Sequence, residues 1–226
     1  MSIPNPQTEP LFEAVARVIE NRKTLKVLGD PNAPLTISAA EAVIGDRQVQ
    51  DALQRAGMAP FHYDRGVETI AEPWRAHVLT HVCCRSLAKQ LPDWLDIGAS
   101  AGKLAAMLAA CGSLVIVTWL PQFRQAADTK PEQWDVDDEH LAAASAMVQS
   151  LLLLLTARGM GTYWSSGGVL KLPAVQQRLG IPPEEKLLAA VFVEYPETMS
   201  IDVERKPGKH RASRSSRWIR QVHFSS

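Results

Sequence analysis

Apolar side chains recur at helical spacing through Leu11, Phe12, Val15, Val18 and Ile19, so the chain opens with an amphipathic helix ending near Asn21 or Arg22. Gly29-Asp30-Pro31-Asn32 reads as a turn. Ser38 followed by Glu41 has the spacing of a capping box, in which each side chain satisfies the other's free backbone N–H. The helix it starts is expected to run through Val49 and Leu53 to about Gly57, with a loop from Ala59 to Pro73 behind it. Ala76, Val78, Thr80 and Val82 alternate, which predicts a strand over 75–82. Helical segments are expected over 87–94 and 97–111, and the valine- and isoleucine-rich run Leu114 to Leu120 predicts a strand. After a loop through Pro121 and Pro131 to Trp134, Asp137 and Asp138 are read as caps of a long helix ending near Arg158. Leu151 to Leu155 is apolar all round, so that helix belongs at a domain centre or across a subunit interface. Leu187 to Val193 is the last predicted strand. Few strands scattered among long helices, without strict alternation, indicate an α+β fold.

Composition narrows the classes. The 226 residues suit one domain, with about 200–226 read as a C-terminal arm. The 24 basic and 24 acidic residues cancel, which argues against a nucleic-acid partner or an anionic membrane surface; basic residues dominate only from Arg205 to Arg220. Three cysteines, two of them adjacent, make neither a disulfide framework nor a zinc site, so no metal is expected. The polar, proline-bearing N-terminus has no signal-peptide pattern. Leu141 to Ala157, interrupted by Ser145, Gln149, Ser150 and Thr156, is read as falling short of a membrane span. The chain is expected to be cytoplasmic.

Four segments can carry chemistry. Arg22-Lys23-Thr24-Leu25-Lys26 places three cations and a hydroxyl within five residues. It is either a phosphate clamp or a solvated helix end whose cations complement the dipole. Gly159-Met160-Gly161-Thr162-Tyr163-Trp164-Ser165-Ser166-Gly167-Gly168 offers close backbone approach, an aromatic wall and hydroxyls, or else a helix C-cap with a turn. It is not a dinucleotide fingerprint, since no strand precedes it. Glu72-Pro73-Trp74-Arg75 enters a strand. Arg205 to Arg211 is a solvated tail or an arm delivering cations to a phosphate. His77 and His81 lie four apart on a predicted strand without the glutamate a zinc protease needs, and His140 reads as part of a helix start.

The order of these segments resembles the nitroreductase family of FMN enzymes. The family's RRS-like segment reads Arg22-Lys23-Thr24 here, its AP loop Ala59-Pro60, its QPW-like strand start Glu72-Pro73-Trp74, and its GLGTCW-like turn Gly159 through Trp164. A basic C-terminal arm follows. Arg55-Ala56-Gly57-Met58-Ala59-Pro60 and His62 look like segments of the small, minimal nitroreductases, and the resemblance covers about Leu11 to Pro196.

The resemblance implies a nitroreductase-like fold, a central mostly antiparallel sheet flanked by helices, in an intertwined homodimer with FMN at the subunit interface. It implies that Arg22, Lys23 and Thr24, with Lys26 close by, hold the flavin phosphate and ribityl chain. Pro60, Phe61 and His62 would cover the ring from the partner. Trp164, Ser165, Ser166 and Gly167 would lie along it, and Lys209 or Arg211 would complete the phosphate site. NADH or NADPH would reduce the flavin, which then reduces a nitroaromatic, quinone or similar small acceptor in a ping-pong cycle without a side-chain nucleophile. Three departures stand out: Lys23 and Thr24 replace arginine and serine, Glu72 stands where glutamine is usual, and the spacer from His62 to Glu72 is long. They leave open a flavin-binding protein of the same fold serving storage, sensing or flavin breakdown. A non-flavin scaffold or nucleic-acid binder using the basic arm is the more distant alternative.

Overall fold

The strand Ser113–Trp119 (β3) is a continuous apolar run buried on both faces, and the molecule is assembled around it. The structure is a computed structural model and describes residues 8–94, 101–122, 131–210 and 213–222. With Trp74–Leu79 (β2), Gly161–Ser165 (β4) and Lys186–Glu194 (β5), β3 makes a four-stranded antiparallel sheet in the order β2-β3-β5-β4. Side chains alternate across such a sheet. Val115, Val117, Ala189, Val191 and Trp164 therefore face one side, and Leu114, Ile116, Ala190, Phe192 and Tyr163 the other.

The two faces are covered differently. Ala39–Ala56 (α2, 18 residues) and Pro131–Ala157 (α5, 27 residues) pack on the first, closing a core around Met147, Leu151, Leu155 and Val191. His81–Gln90 (α3) and Ala101–Ala110 (α4), ten residues each, pack on the second with the short helix Pro173–Arg178 (α6). Thr8–Asn21 (α1) precedes the outlying strand Leu25–Val27 (β1), and Pro196–Met199 (α7) follows β5. Tyr195 locks α2 to the sheet. Its ring lies against Gly45 and Gly112, where a Cβ would come within 2.2 and 2.4 Å of it, and its hydroxyl donates to Asp46 at 2.5 Å.

The capping box of α2 forms as the sequence requires: Ser38 N–H donates to Glu41 at 2.7 Å and Glu41 N–H to Ser38 Oγ at 3.2 Å. Four expectations are corrected. The strand over 75–82 stops at Leu79, because the Thr80 hydroxyl caps α3 and takes Val82 and His81 into a helix. Asp137 and Asp138 lie inside α5, which begins at Pro131, a residue with no N–H to leave unsatisfied there. Asp137 accepts the Gln122 N–H at 2.7 Å. Gly161 to Ser165 is a strand, because pairing with β5 overrides the turn character of its glycines. Val136–Ala157 is by length and composition apolar enough to cross a membrane, yet it packs as the central helix of this core. The predicted start of a helix at Ile97 and most of the loop between Pro121 and Pro131 lie outside the described residues.

Candidate functional site

The two ends of the chain meet beside β4. Arg205–Pro207 (β6) pairs antiparallel with β1, placing Lys206 opposite Lys26 and Arg205 opposite Val27. Gly208 N–H donates to the Thr24 carbonyl at 3.2 Å, and Thr24 bridges to Thr162 of β4. A Cβ on Gly208 would sit 3.1 Å from that of Thr24, so the chains approach as closely as glycine permits.

What bends the arm back is a clamp. Arg205 donates to both oxygens of the buried Glu194 carboxylate, at 2.6 Å to Oε1 and 3.3 Å to Oε2, and to the carbonyls of Thr198, Ile201 and Val203. The planar guanidinium suits this multidentate role, which the shorter reach of a lysine could not fill.

The result is a basic cleft of about 670 Å³ lined by Arg22, Lys23, Thr24, Lys209, His210 and Arg214. None of the described lining side chains is acidic. This donor set fits a phosphate dianion, to which cations, a hydroxyl and backbone N–H groups make charge-assisted bonds. A second cleft, of about 490 Å³, lies along β4 and α4 and is lined by Lys103, Met107, Tyr163, Ser165, Ser166 and Gly167. Lys26 lies beside the second cleft. Its ammonium lies 5.7 Å from the Tyr163 ring centroid. Burial lowers its pKa, and the adjoining Lys103 and Lys206 ammonium groups lower it further. Neither Lys26 nor Lys103 has a carboxylate within ion-pair distance among the described residues, so positive charge is collected there without neutralisation.

In the two clefts of this basic trough, Arg22, Lys23, Thr24 and Lys209 line the first and Ser165, Ser166 and Gly167 the second, with Lys26 against Tyr163. Trp164 is not a lining residue: alternation turns it to the α2/α5 side, where it is half-buried against that core, and Tyr163 takes the cleft wall. Pro60, Phe61 and His62 lie elsewhere in the chain, beyond the end of α2. Phe61 packs edge-on to Trp74 at 5.7 Å and His62 lies 3.5 Å from Glu139. Arg211 lies outside the described residues. Lys103, Tyr163 and Arg214 were not foreseen. Tyr163 was within reach of sequence reasoning had Gly161 to Ser165 been given a strand's alternation; Lys103 carries no local signal. No group of three or more His, Cys, Asp or Glu positioned to hold a metal occurs among the described residues.

Comparison with known proteins places the chain in a family. The family model described as the Nitroreductase family matches residues 39–193. YfhC of Bacillus subtilis, assigned by name to the NAD(P)H nitroreductases, is 25% identical over 218 residues, covering 91% of this chain and 97% of that one. Among solved structures, a nitroreductase-like family protein from Bacillus cereus superposes with a TM-score of 0.56 at 18% identity, covering 90% of this chain and 98% of the other. A nitroreductase with bound FMN from Bacteroides fragilis superposes with a TM-score of 0.51 at 16% identity, covering 92% and 98%. Fold and family model together define an α+β oxidoreductase. More narrowly, the chain belongs to the Nitroreductase family.

Proposed function

We propose that the protein is a homodimeric, FMN-dependent oxidoreductase that takes hydride from NADH or NADPH and passes it to a nitroaromatic, quinone or similar small acceptor. The observation that carries this reading is the meeting of Arg22-Lys23-Thr24 with Gly208-Lys209 in one basic cleft, with a second cleft lined by Ser165 to Gly167 on the strand to which Thr24 bridges. FMN, when bound, would supply the redox chemistry that links the nicotinamide donor to the acceptor. Arg22, Lys23, Thr24 and Lys209 hold the phosphate, with Arg211 in the same segment as a further candidate. Lys26 and Lys103 bring positive charge to a ring that gains electron density on reduction. Ser165, Ser166 and Gly167 offer hydroxyl and backbone groups along the ring, Trp164 backs them, and Pro60, Phe61 and His62 close the site from the partner. The FMN bound by the Bacteroides fragilis relative and the NAD(P)H in the name of YfhC support the choice of cofactors.

The dimer rests on α1. Its apolar stripe stands exposed in the single chain, with Leu11 66% and Phe12 65% accessible, and such a stripe is normally buried by a partner. Leu153 and Leu154 of α5 are likewise only half-buried. Analytical ultracentrifugation is expected to give twice the 24.8 kDa chain mass. A cytoplasmic location accords with three free thiols.

The central test is optical. Purified protein is expected to be yellow, to carry one FMN per subunit, and to bleach anaerobically on addition of NADH or NADPH. A colourless protein that FMN cannot reconstitute overturns the proposal; a yellow protein that neither nucleotide bleaches reduces it to flavin binding.

A further inference from the structure

The second sheet face carries another cleft, at the β2 edge and away from the basic trough. It opens to about 470 Å³ between β2, α3 and α6, with Leu79, Leu87 and Trp94 as apolar walls and His77, Ser86, Gln90 and Arg178 as polar groups. Its size falls within the roughly 300–1,000 Å³ of ordinary small-molecule sites, which are mainly apolar with a few placed polar groups. The Arg178 guanidinium lies 4.6 Å from the Trp94 ring centroid and backs that wall.

His77 is backed by a buried carboxylate. Its Nε2 lies 2.6 Å from Glu185 Oε2, and the same oxygen accepts the Thr118 hydroxyl. Burial alone would push the Glu185 carboxyl up; the bonds from His77 and Thr118 outweigh it and hold the carboxyl below its usual range. With Glu185 accepting a hydrogen bond from Nε2–H, Nδ1 is the ring nitrogen left to meet a ligand. Nothing in the proposed flavin chemistry uses this arrangement. An apolar core would not need it either, since a buried carboxylate is costly unless satisfied.

We propose that this cleft is a second small-molecule site and that it binds a planar phenol. The apolar walls and Trp94 take the ring, and the acceptor nitrogen of His77 takes the weakly acidic O–H. The Glu185 charge behind the imidazole strengthens that acceptor. The proposal is independent of the flavin reading, because it uses none of the trough residues.

Cys83 supplies the reporter. It is exposed and lines this cleft from α3, whereas Cys84 and Cys111 are buried. The purified full chain, at whatever flavin content it carries, is alkylated with iodoacetamide, and modification at Cys83 is followed by mass spectrometry. Saturating 2-naphthol is expected to slow alkylation at least fivefold, while 2-methoxynaphthalene, which has the same rings without the O–H, slows it less than twofold. In His77→Phe, which keeps a ring and removes the acceptor, 2-naphthol protection is expected to vanish. An unchanged Cys83 rate with 2-naphthol, equal protection by the methyl ether, or full protection in His77→Phe each overturns the proposal. The ether comparison uses only the unmodified chain, so it stands even if the variant does not fold.

Discussion

The two faces of the central sheet are built from similar strands and put to different uses. On one, helices of 18 and 27 residues lie over the strands and seal an almost wholly apolar core. On the other, α3 and α4 have ten residues each. At a rise of 1.5 Å per residue, ten residues span about 15 Å and twenty-seven about 40 Å. The short helices cover the middle of the sheet and leave both edges open. At the β4 edge that opening gathers Lys26, Lys103 and Tyr163; at the β2 edge it gathers His77 and Trp94. Chemistry here follows from incomplete coverage: a polar group can be held beside a strand only where no helix lies over it.

The sharpest way to break this contrast is to remove Glu194. Glu194→Ala strands Arg205 without its carboxylate, and loss of one partner of a buried pair costs about 3–5 kcal/mol. The same change should release β6 from β1 and scatter the basic cleft. A lower urea midpoint is therefore expected together with FMN affinity reduced more than tenfold. Normal FMN affinity in a destabilised Glu194→Ala protein would show that the clamp does not position the arm. Leu151→Ala acts on the sealed face. Leu151 is fully buried there, and the cavity should cost about 2–5 kcal/mol of stability. FMN affinity measured well below the melting transition should fall far less than in Glu194→Ala, because none of the residues lining the basic cleft belongs to that core.

The sealed face was largely legible in the sequence, and the open face was not. The amphipathic α1, the capping box at Ser38 and Glu41, and the apolar run of β3 each carry their signal within a few residues. Periodicity and capping are local, so they survive without tertiary information. The gathering of Arg22-Lys23-Thr24 with Lys209 was anticipated only through resemblance, since no local rule joins residues at opposite ends of a chain. Lys103 and the Arg205–Glu194 clamp went unseen for the same reason. Trp164 shows a different failure. A glycine-bearing segment has the local signature of a turn, and in a turn alternation does not apply. Once β5 pairs with it, residues 163 and 164 must point to opposite faces. Thr80 marks the converse case, where a β-branched residue that suits a strand caps a helix with its hydroxyl.

Arg22→Ala sharpens the contrast from the open side. It removes one charge-assisted bond to the phosphate, so FMN affinity should fall by about 1.5–3 kcal/mol while the urea midpoint hardly moves. Isothermal titration of the apoprotein decides the matter, and an unchanged Kd would place the phosphate away from Arg22. Set beside Leu151→Ala, the pair forms a double dissociation: one substitution costs chiefly stability, the other chiefly affinity.

The smallest expected effect is a pH dependence to which both faces contribute. His81 stands at the start of α3 and His140 within α5, and both are buried. Burial lowers the pKa of each; the neighbouring Arg85 lowers that of His81 further, against an opposing pull from Asp46. With folded values below the unfolded value near 6.5, the unfolded chain binds more protons as the pH drops. The stabilisation is thus fully present above about pH 6.5 and is lost as the pH falls toward the depressed folded values. Glu185 acts in the same direction, but its ordinary value is 4.5, so it enters only in more acid solution. Urea midpoints are accordingly expected to be lower at pH 5.5 than at pH 7.5, and His140→Asn should flatten part of that slope. Equal midpoints at the two pH values would mean that both imidazoles titrate alike in the folded and unfolded chain. Burial on the two faces would then impose no charge penalty, and the open face would be no better hydrated at His81 than the sealed one at His140.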